Sequence, residues 1–303
     1  MQVYSRRTRH RPVKPSGSPA PSALKLEQTL AQWRHWRCEP PLPGAPHLDH
    51  TLEGGLSNHN FLVNTGSQRF VVRIDGVNPG RHGMSRQVEY LAQQSAAKAA
   101  LAPMPRYFNP ELGAMVCDYI CPDSQQDFTA ADLALLCRKI HALPARRHKL
   151  CLGNRFQRYE HLLERKGKPL PPTALRLTIA ELLDRVEVKE FNPALCHNDL
   201  LPANLIVSKG QLFALDWEYV AMGNPWFDLA VACEGQQYDQ GQSENFLYHY
   251  LQRRPASSDI RQLQLFSALY RYLELLWHLE QAAPEQCPAV LAAFLPGIEE
   301  QLP

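Results

Sequence analysis

Residues 195–230 read LCHNDLLPANLIVSKGQLFALDWEYVAMGNPWFDLA, and this stretch decides the fold. Two short apolar runs, LIVS at 205–208 and LFALD at 212–216, flank Lys209-Gly210, which is the pattern of two strands joined by a tight turn. His197-x-Asp199 lies upstream, Asn204 follows five positions after the aspartate, and Asp216 comes twelve positions after the asparagine. A rigid loop before a hairpin, with an acid at the hairpin's end, gathers Asp199, Asn204 and Asp216 around one point. Each residue alone would read as a turn former or cap. Their order in the chain carries the information.

Outward from this stretch the chain divides in two. Residues 1–22, rich in Arg, Pro and Ser and without periodicity, read as a disordered basic tail. Leu24, Leu30 and Trp33 recur at near-helical spacing, so a helix follows. FLVN at 61–64, a TGSQ turn and RFVVRI at 69–74 predict a hairpin with Gly66 in its turn, a helix is expected over about 84–100, and MVCDYI at 115–120 reads as a buried strand. Beyond Pro122 the periodicity becomes helical, opening on a Thr129-x-x-Asp132 capping box with Leu133, Leu136 and Ile140 on one face. The expected fold is α+β and two-lobed: a small antiparallel-sheet lobe at 23–118 and a larger, mainly helical lobe at 119–303.

Composition narrows the function. The chain has 303 residues, of which 45% are hydrophobic and 20% charged, enough for a sizeable core and unlike a disordered chain. Thirty-two basic residues face thirty acidic ones; without the five cations of the first fourteen residues the balance is 27 against 30, a net −3. A nucleic-acid-binding body would be basic, so no nucleic-acid partner is expected. The eight cysteines are scattered, several inside apolar runs, as in a reduced cytoplasmic protein. No apolar run nears the roughly 20 residues of a membrane span, and no apolar region follows the basic start as in a secretory signal.

Asp199, Asn204 and Asp216 suit phosphoryl transfer, which needs a carboxylate to accept a hydroxyl proton and oxygen ligands to hold Mg²⁺ on nucleotide phosphates. In these residues the sequence resembles the choline kinase and aminoglycoside phosphotransferase superfamily, small-molecule relatives of the protein kinases. HNDLLPANL is similar to that family's H-x-D-x-x-x-x-N loop, LDWEY to its metal-binding segment and GGLSNHNFLV to its nucleotide loop. The likeness spans roughly residues 50–280 and implies a protein-kinase-like fold, ATP and Mg²⁺ as cofactors, Asp199 as catalytic base, Asn204 and Asp216 as metal ligands, His197 as a prop of the loop and Asp228 as its brace. The LDWEY form points to the choline, ethanolamine and thiamine kinase branch.

For the nucleotide, Gly55, Ser57 and Asn58 precede the hairpin and can bring backbone N–H groups and small polar side chains to phosphates. Arg73 occupies the place of the family's phosphate-binding lysine, where a guanidinium binds as a fork. Glu89 on the next helix is its natural partner, with Arg86 and Arg81 as competitors. The adenine edge would meet the main chain near Asp118 and Ile120. For the acceptor, Tyr270, Leu273 and Trp277 recur at i, i+3 and i+7 on the C-terminal helix, and the resemblance makes this helix a wall of the pocket. There Tyr270, Trp277 and Glu218 could hold a cationic alcohol, if LFALD continues as a strand and turns Glu218 to the face of Asp216. A stripe of core and a salt bridge are the plainer readings of the same residues. The alternatives are an aminoglycoside phosphotransferase and a catalytically silent nucleotide-binding module. The absence of an APE-like segment, with NPWFDLA so soon after LDWEY, speaks against a protein kinase.

Overall fold

The computed structural model describes residues 21–52, 58–76, 83–187 and 191–299. The basic tail up to residue 20 and the loop residues Gly55 and Ser57 lie outside them. The chain forms two compact units, one made of residues up to Asn78 with Met104–Tyr119, the other of Pro79–Pro103 and everything from Ile120 onward.

In the first unit, helix α1 (Pro21–Ala31) precedes strands β1 (His47–Leu52), β2 (Asn58–Thr65) and β3 (Gln68–Asp75), and β4 (Pro105–Asn109) and β5 (Ala114–Asp118) complete an antiparallel sheet of order β1-β2-β3-β5-β4. Gly66 holds φ at +57° in the two-residue turn between Thr65 and Gln68, which a residue with a Cβ adopts at a cost. The strict alternation of β3 sends Phe70, Val72 and Ile74 to one face, where they pack with Phe61, Val63, Trp36 and Leu26. The other face of β3 carries Arg73 and Asp75, paired across the ladder with Asn60 and Asn58. Sequence reading missed β1 and β4, the two edges of the sheet. HLDHTL is exposed along almost its whole length and so lacks an apolar alternation, while β4 opens on a proline, which an edge strand tolerates.

The second unit holds α2 (Arg86–Lys98), α3 (Ala130–His141), α4 (Leu152–Arg165), α5 (Thr173–Glu187), the short ribbons β6 (Ala194–Cys196) with β9 (Ala221–Gly223) and β7 (Leu205–Ser208) with β8 (Gln211–Ala214), and then α6 (Pro225–Gly235), α7 (Gln240–Leu251), α8 (Ser257–Gln281) and α9 (Cys287–Glu299). Both halves of the predicted capping box form on α3, and Leu133, Leu136 and Ile140 are buried. Helix α6 is buried on every side from Phe227 to Cys233, so it lacks the polar stripe of a surface helix. The aromatic helix expected to end the chain is the second half of α8, and α9 follows it; Pro296 and Gly297 broke its pattern. No helix among the described residues is long and apolar enough to cross a membrane.

The hairpin β7–β8 is fastened from outside. The Asp123 carboxylate accepts the N–H groups of Lys209 (2.9 Å) and Gly210 (2.8 Å) at its tip. Ser208 Oγ donates to the Cys121 carbonyl at 2.7 Å, and Gln126 exchanges two hydrogen bonds with the Val207 backbone. Segment 121–126 therefore clasps the hairpin along its length.

Candidate active site

The candidate catalytic loop leaves β6 at His197 and is fixed by Asp228 in the first turn of α6. Asp228 Oδ2 accepts the His197 N–H at 2.8 Å and Oδ1 the Asn198 N–H at 2.6 Å. Both donors are pulled to one carboxylate, and Asn198 takes φ +65°, a left-handed conformation that asparagine tolerates better than most residues. The Asn198 side chain secures the bend by donating to the carbonyls of Cys196 (3.2 Å) and Tyr219 (3.0 Å). Behind Asp228 stands His141, its Nε2 at 3.0 Å from Oδ2 and its Nδ1 at 2.8 Å from the Tyr250 hydroxyl. A carboxylate only accepts, so Nε2 carries the proton and Nδ1 takes the tyrosine's. His141, Cys196 and Asp228 bring donor atoms within 4.8 Å of one another, but the histidine and aspartate are spent on this brace. Burial opposes the charge on Asp228, and the His141 hydrogen bond leads the interactions that hold its carboxyl below the usual range all the same.

His197 is fully buried, stacks edge-on against Trp217 with ring centroids 4.8 Å apart and donates from Nε2 to the Leu215 carbonyl at 3.0 Å. Its Nδ1 finds no partner among the described residues, and burial drops its pKa to about 4 against weaker opposing pulls from Asp228 and Leu215. A neutral, inward ring acts as a prop.

Asp199 is next in the chain. Asn204 Nδ2 donates to the Asp199 carbonyl at 2.9 Å and to its Oδ2 at 2.7 Å, while the Asn204 carbonyl accepts the Leu215 N–H at 2.8 Å. That last bond ties Asn204 to the residue just before Asp216. With the Asn204 amide nitrogen committed to Asp199, its side-chain oxygen and the Asp216 carboxylate are both hard oxygen donors of the kind Mg²⁺ takes. Asp199 is pushed up to about 7 by burial and by the negative Glu218; Arg155 and the Asn204 hydrogen bond pull the other way.

The strand LFALD does not continue to Glu218. Strand β8 ends at Ala214, Asp216 is left-handed at φ +55°, and Trp217–Tyr219 forms a single 3₁₀ turn, so the period-two argument that paired Glu218 with Asp216 fails. Glu218 is instead buried in an ion pair, its Oε2 3.1 Å from Arg86 Nη1, and Arg86 also takes Glu89 Oε2 at 2.8 Å. Of the competitors foreseen for Glu89, Arg86 is bonded to it, and Arg81 lies outside the described residues. In the first unit Arg73 lies 3.9 Å from Asp75, and Asp118 is held in a two-bond fork by Arg106 while its N–H donates to the Met104 carbonyl. Asn58 is buried at the start of β2; Ile120 opens the second unit.

Sequence reading missed Arg155 and Tyr219. The Arg155 guanidinium lies over the Tyr219 ring, 4.4 Å from its centroid, and both line a cavity of about 130 Å³ together with Glu218, Lys149 and Arg158. Nothing in a lone arginine on the amphipathic α4 announced this. Of the expected aromatic residues, Tyr270 is buried, meets Phe227 edge-on and feels the Asp199 charge, whereas Trp277 is half-buried against His278.

These elements define a two-lobed protein-kinase-like fold with a brace-held aspartate loop and an oxygen-donor hairpin. Residues 50–266 match the model of the phosphotransferase enzyme family, and the chain belongs to that family. It is 26% identical over 194 residues to Protein LicA of Haemophilus influenzae, a match covering 60% of this chain and 56% of that protein, so it spans less than two thirds of this relative's length. Among solved structures it is similar to the choline kinase LicA of Streptococcus pneumoniae (TM-score 0.69, 23% identity, 83% of this chain and 95% of that one). It is also similar to the ADP-bound aminoglycoside phosphotransferase APH(2'')-Ib (TM-score 0.63, 18% identity, 92% and 99%).

The buried neutral His197 sets a pH dependence of stability. The unfolded chain protonates this residue near 6.5 and the folded one only near 4, so its stabilisation is complete above 6.5 and is lost as pH falls from 6.5 toward 4. The loss is on the order of 3 kcal/mol. Asp199, raised to about 7, contributes in the opposite sense over the same range, so the His197 part is read as a difference: in urea unfolding, wild type should lose more stability, or gain less, than His197→Gln when the pH is lowered from 7 to 4.5. An unchanged slope in that variant would assign the effect to another group.

Proposed function

We propose that the chain is an ATP- and Mg²⁺-dependent kinase that phosphorylates the hydroxyl of a small cationic alcohol, with choline, ethanolamine and thiamine as the acceptors to test. The observation that carries the reading is the Asn204 bridge: its side-chain amide donates to the Asp199 carboxylate at 2.7 Å while its main-chain carbonyl accepts the N–H of Leu215, the residue before Asp216. The proposed base and metal ligands are thereby tied to one another. Asp199 orients the acceptor hydroxyl and takes its proton as the phosphoryl group transfers; a value near 7 suits a base that must be ionised yet still attract a proton. Asn204 and Asp216 would hold Mg²⁺, which supplies charge neutralisation on the phosphates when bound. For the nucleotide, Asn58, Arg73 and Glu89 are assigned to its phosphates. Contact at Asp118 would go through the carbonyl, because its N–H is already used.

The curated relative and the choline kinase structure support the acceptor class, and so does the local charge. A polycationic aminoglycoside calls for several available carboxylates, but Glu160, Glu234 and Glu280 are taken by Arg176, Arg271 and Lys166. The intact hydrogen-bonding of the Asp199 loop speaks against a silent module.

An ATP-consumption screen over choline, ethanolamine, thiamine and an aminoglycoside should single out a small cationic alcohol. Asp199→Asn should abolish that turnover and leave nucleotide binding nearly intact, since the base acts on the acceptor. Near-normal turnover in the variant would remove Asp199 from the mechanism. The neighbours give a signed test. Glu218→Gln removes a negative charge that raises Asp199, so the acid limb of kcat/KM should move to lower pH; Arg155→Gln removes a positive charge that lowers it, so the limb should move to higher pH. Shifts of the same sign in both variants would assign the limb to a different group.

A further inference from the structure

The cavity of about 130 Å³ beside Tyr219 lies within the second unit, and three cations line it: Lys149, Arg155 and Arg158. Local structure places each of them. The Met222 N–H donates to the His148 carbonyl at 2.8 Å and the Leu150 N–H to the Met222 carbonyl at 2.9 Å, so the backbone of Lys149 is held along β9. Arg155 and Arg158 are three residues apart on α4 and share a helix face. Arg158 lies against Gly83, where a Cβ would stand 2.7 Å from its Nη1; with φ at +71° as well, this position suits glycine twice over.

The positive charge is not balanced from within. Among the described residues that line the cavity Glu218 is the one carboxylate, and it is already bonded to Arg86. Lys149 and Arg155 make no ion pair among the described residues. Arg155 lies over the Tyr219 ring, and its Nε is buried without a hydrogen-bond partner there. Folded proteins rarely leave a buried N–H in that state, and the exception calls for an explanation. Helix α4 adds to the field, because its N-terminal end carries the positive pole of the helix dipole and its first turn holds no acid. Like charges gathered in a concave place repel one another and draw in an anion.

We propose that this cavity binds a phosphate-type oxyanion between Lys149, Arg155 and Arg158. Its volume is that of about four waters, enough for a tetrahedral anion and too small for a nucleotide. Two guanidinium forks on α4 and an ammonium beside β9 supply more donors than a planar carboxylate can use, and a tetrahedral oxyanion has oxygens for them all. The anion is inorganic phosphate or the phosphate of a released monoester, which present the same oxygens. Binding stands on the cavity alone and goes beyond the choice of acceptor; its effect on turnover rests on the kinase reading. Asn198 Nδ2 donates to the Tyr219 carbonyl at 3.0 Å, so the residue that carries the ring under Arg155 is fastened to the residue before Asp199. Arg155 is also the cation whose pull favours the ionised Asp199 carboxylate. An anion on Arg155 cancels that pull, leaves the base more protonated and inhibits.

Calorimetry on the full chain, with Mg²⁺ and ADP present to fill the nucleotide's place, measures the binding of inorganic phosphate. Wild type should bind it, and Lys149→Gln and Arg158→Gln, both at exposed side chains, should each weaken binding at least about fivefold. No binding by wild type, or equal binding by the normally folded variants, overturns the proposal. O-phosphocholine separates the two sources: tighter binding of free phosphate sustains an inorganic occupant, tighter binding of the monoester sustains a product on its way out, and either ligand must lose affinity in the variants. In turnover, phosphate should inhibit wild type without raising the ATP KM, and Lys149→Gln should relieve the inhibition while keeping its rate in phosphate-free buffer. Inhibition that persists unchanged in Lys149→Gln overturns the inhibitory role. A wild type without turnover counts against the kinase reading alone, and the calorimetry still decides the cavity.

Discussion

Two N–H groups converge on the carboxylate of Asp228, and the rest of the candidate site depends on that convergence. Successive backbone amides in an extended chain point in opposite directions, so a single carboxylate can take both only if the chain bends between them. Asn198 makes that bend in a left-handed conformation, and the side chain that suffers the strain also cancels part of it through its bonds to Cys196 and Tyr219. The residue after the bend is Asp199. Its position is therefore set by buried main-chain geometry, which surface fluctuations leave untouched.

Electrostatic balance, and not burial alone, sets the chemistry of the same loop. His197 and Asp199 are both withdrawn from water, yet the histidine is driven to neutrality while the aspartate is left near the middle of its titration at neutral pH. The difference lies in their neighbours. For His197 the Leu215 carbonyl and the Asp228 charge oppose burial only weakly, so the ring stays uncharged; Asp199 is given a cation and an amide donor, which recover part of what burial and Glu218 take away. Arg86, standing between Glu218 and Glu89, moderates the negative side of this balance.

The parts legible in the sequence were those where local rules act alone. The β2–β3 hairpin followed from alternation and Gly66, α3 from its capping box, and the β7–β8 hairpin with Asn204 and Asp216 from spacing. The edge strands β1 and β4 were invisible because the ladder makes them strands, and their composition does not. Glu218 was misplaced because a strand pattern gives no warning of a left-handed residue at its end. Arg155 and His141 escaped because each matters through a partner far away in sequence, such as His141 with Asp228, 87 residues on, and Arg86, foreseen only beside Glu89, also meets Glu218, 132 residues on. Long-range pairing of single polar residues leaves no periodic trace.

The clasp on the β7–β8 hairpin has an implication for engineering. A two-residue tip such as Lys209-Gly210, exposed at the surface, is where a protein engineer would ordinarily splice a tag, open the chain for circular permutation or graft a reporter loop. Here both of its amides are spoken for by Asp123, and the strand behind it is stitched to Gln126 and Cys121. An insertion would unfasten the hairpin whose two roots carry Asn204 and Asp216. The turn at Gly167, with φ at +64° and open space where a Cβ would be, offers a graft point whose loosening leaves those roots alone.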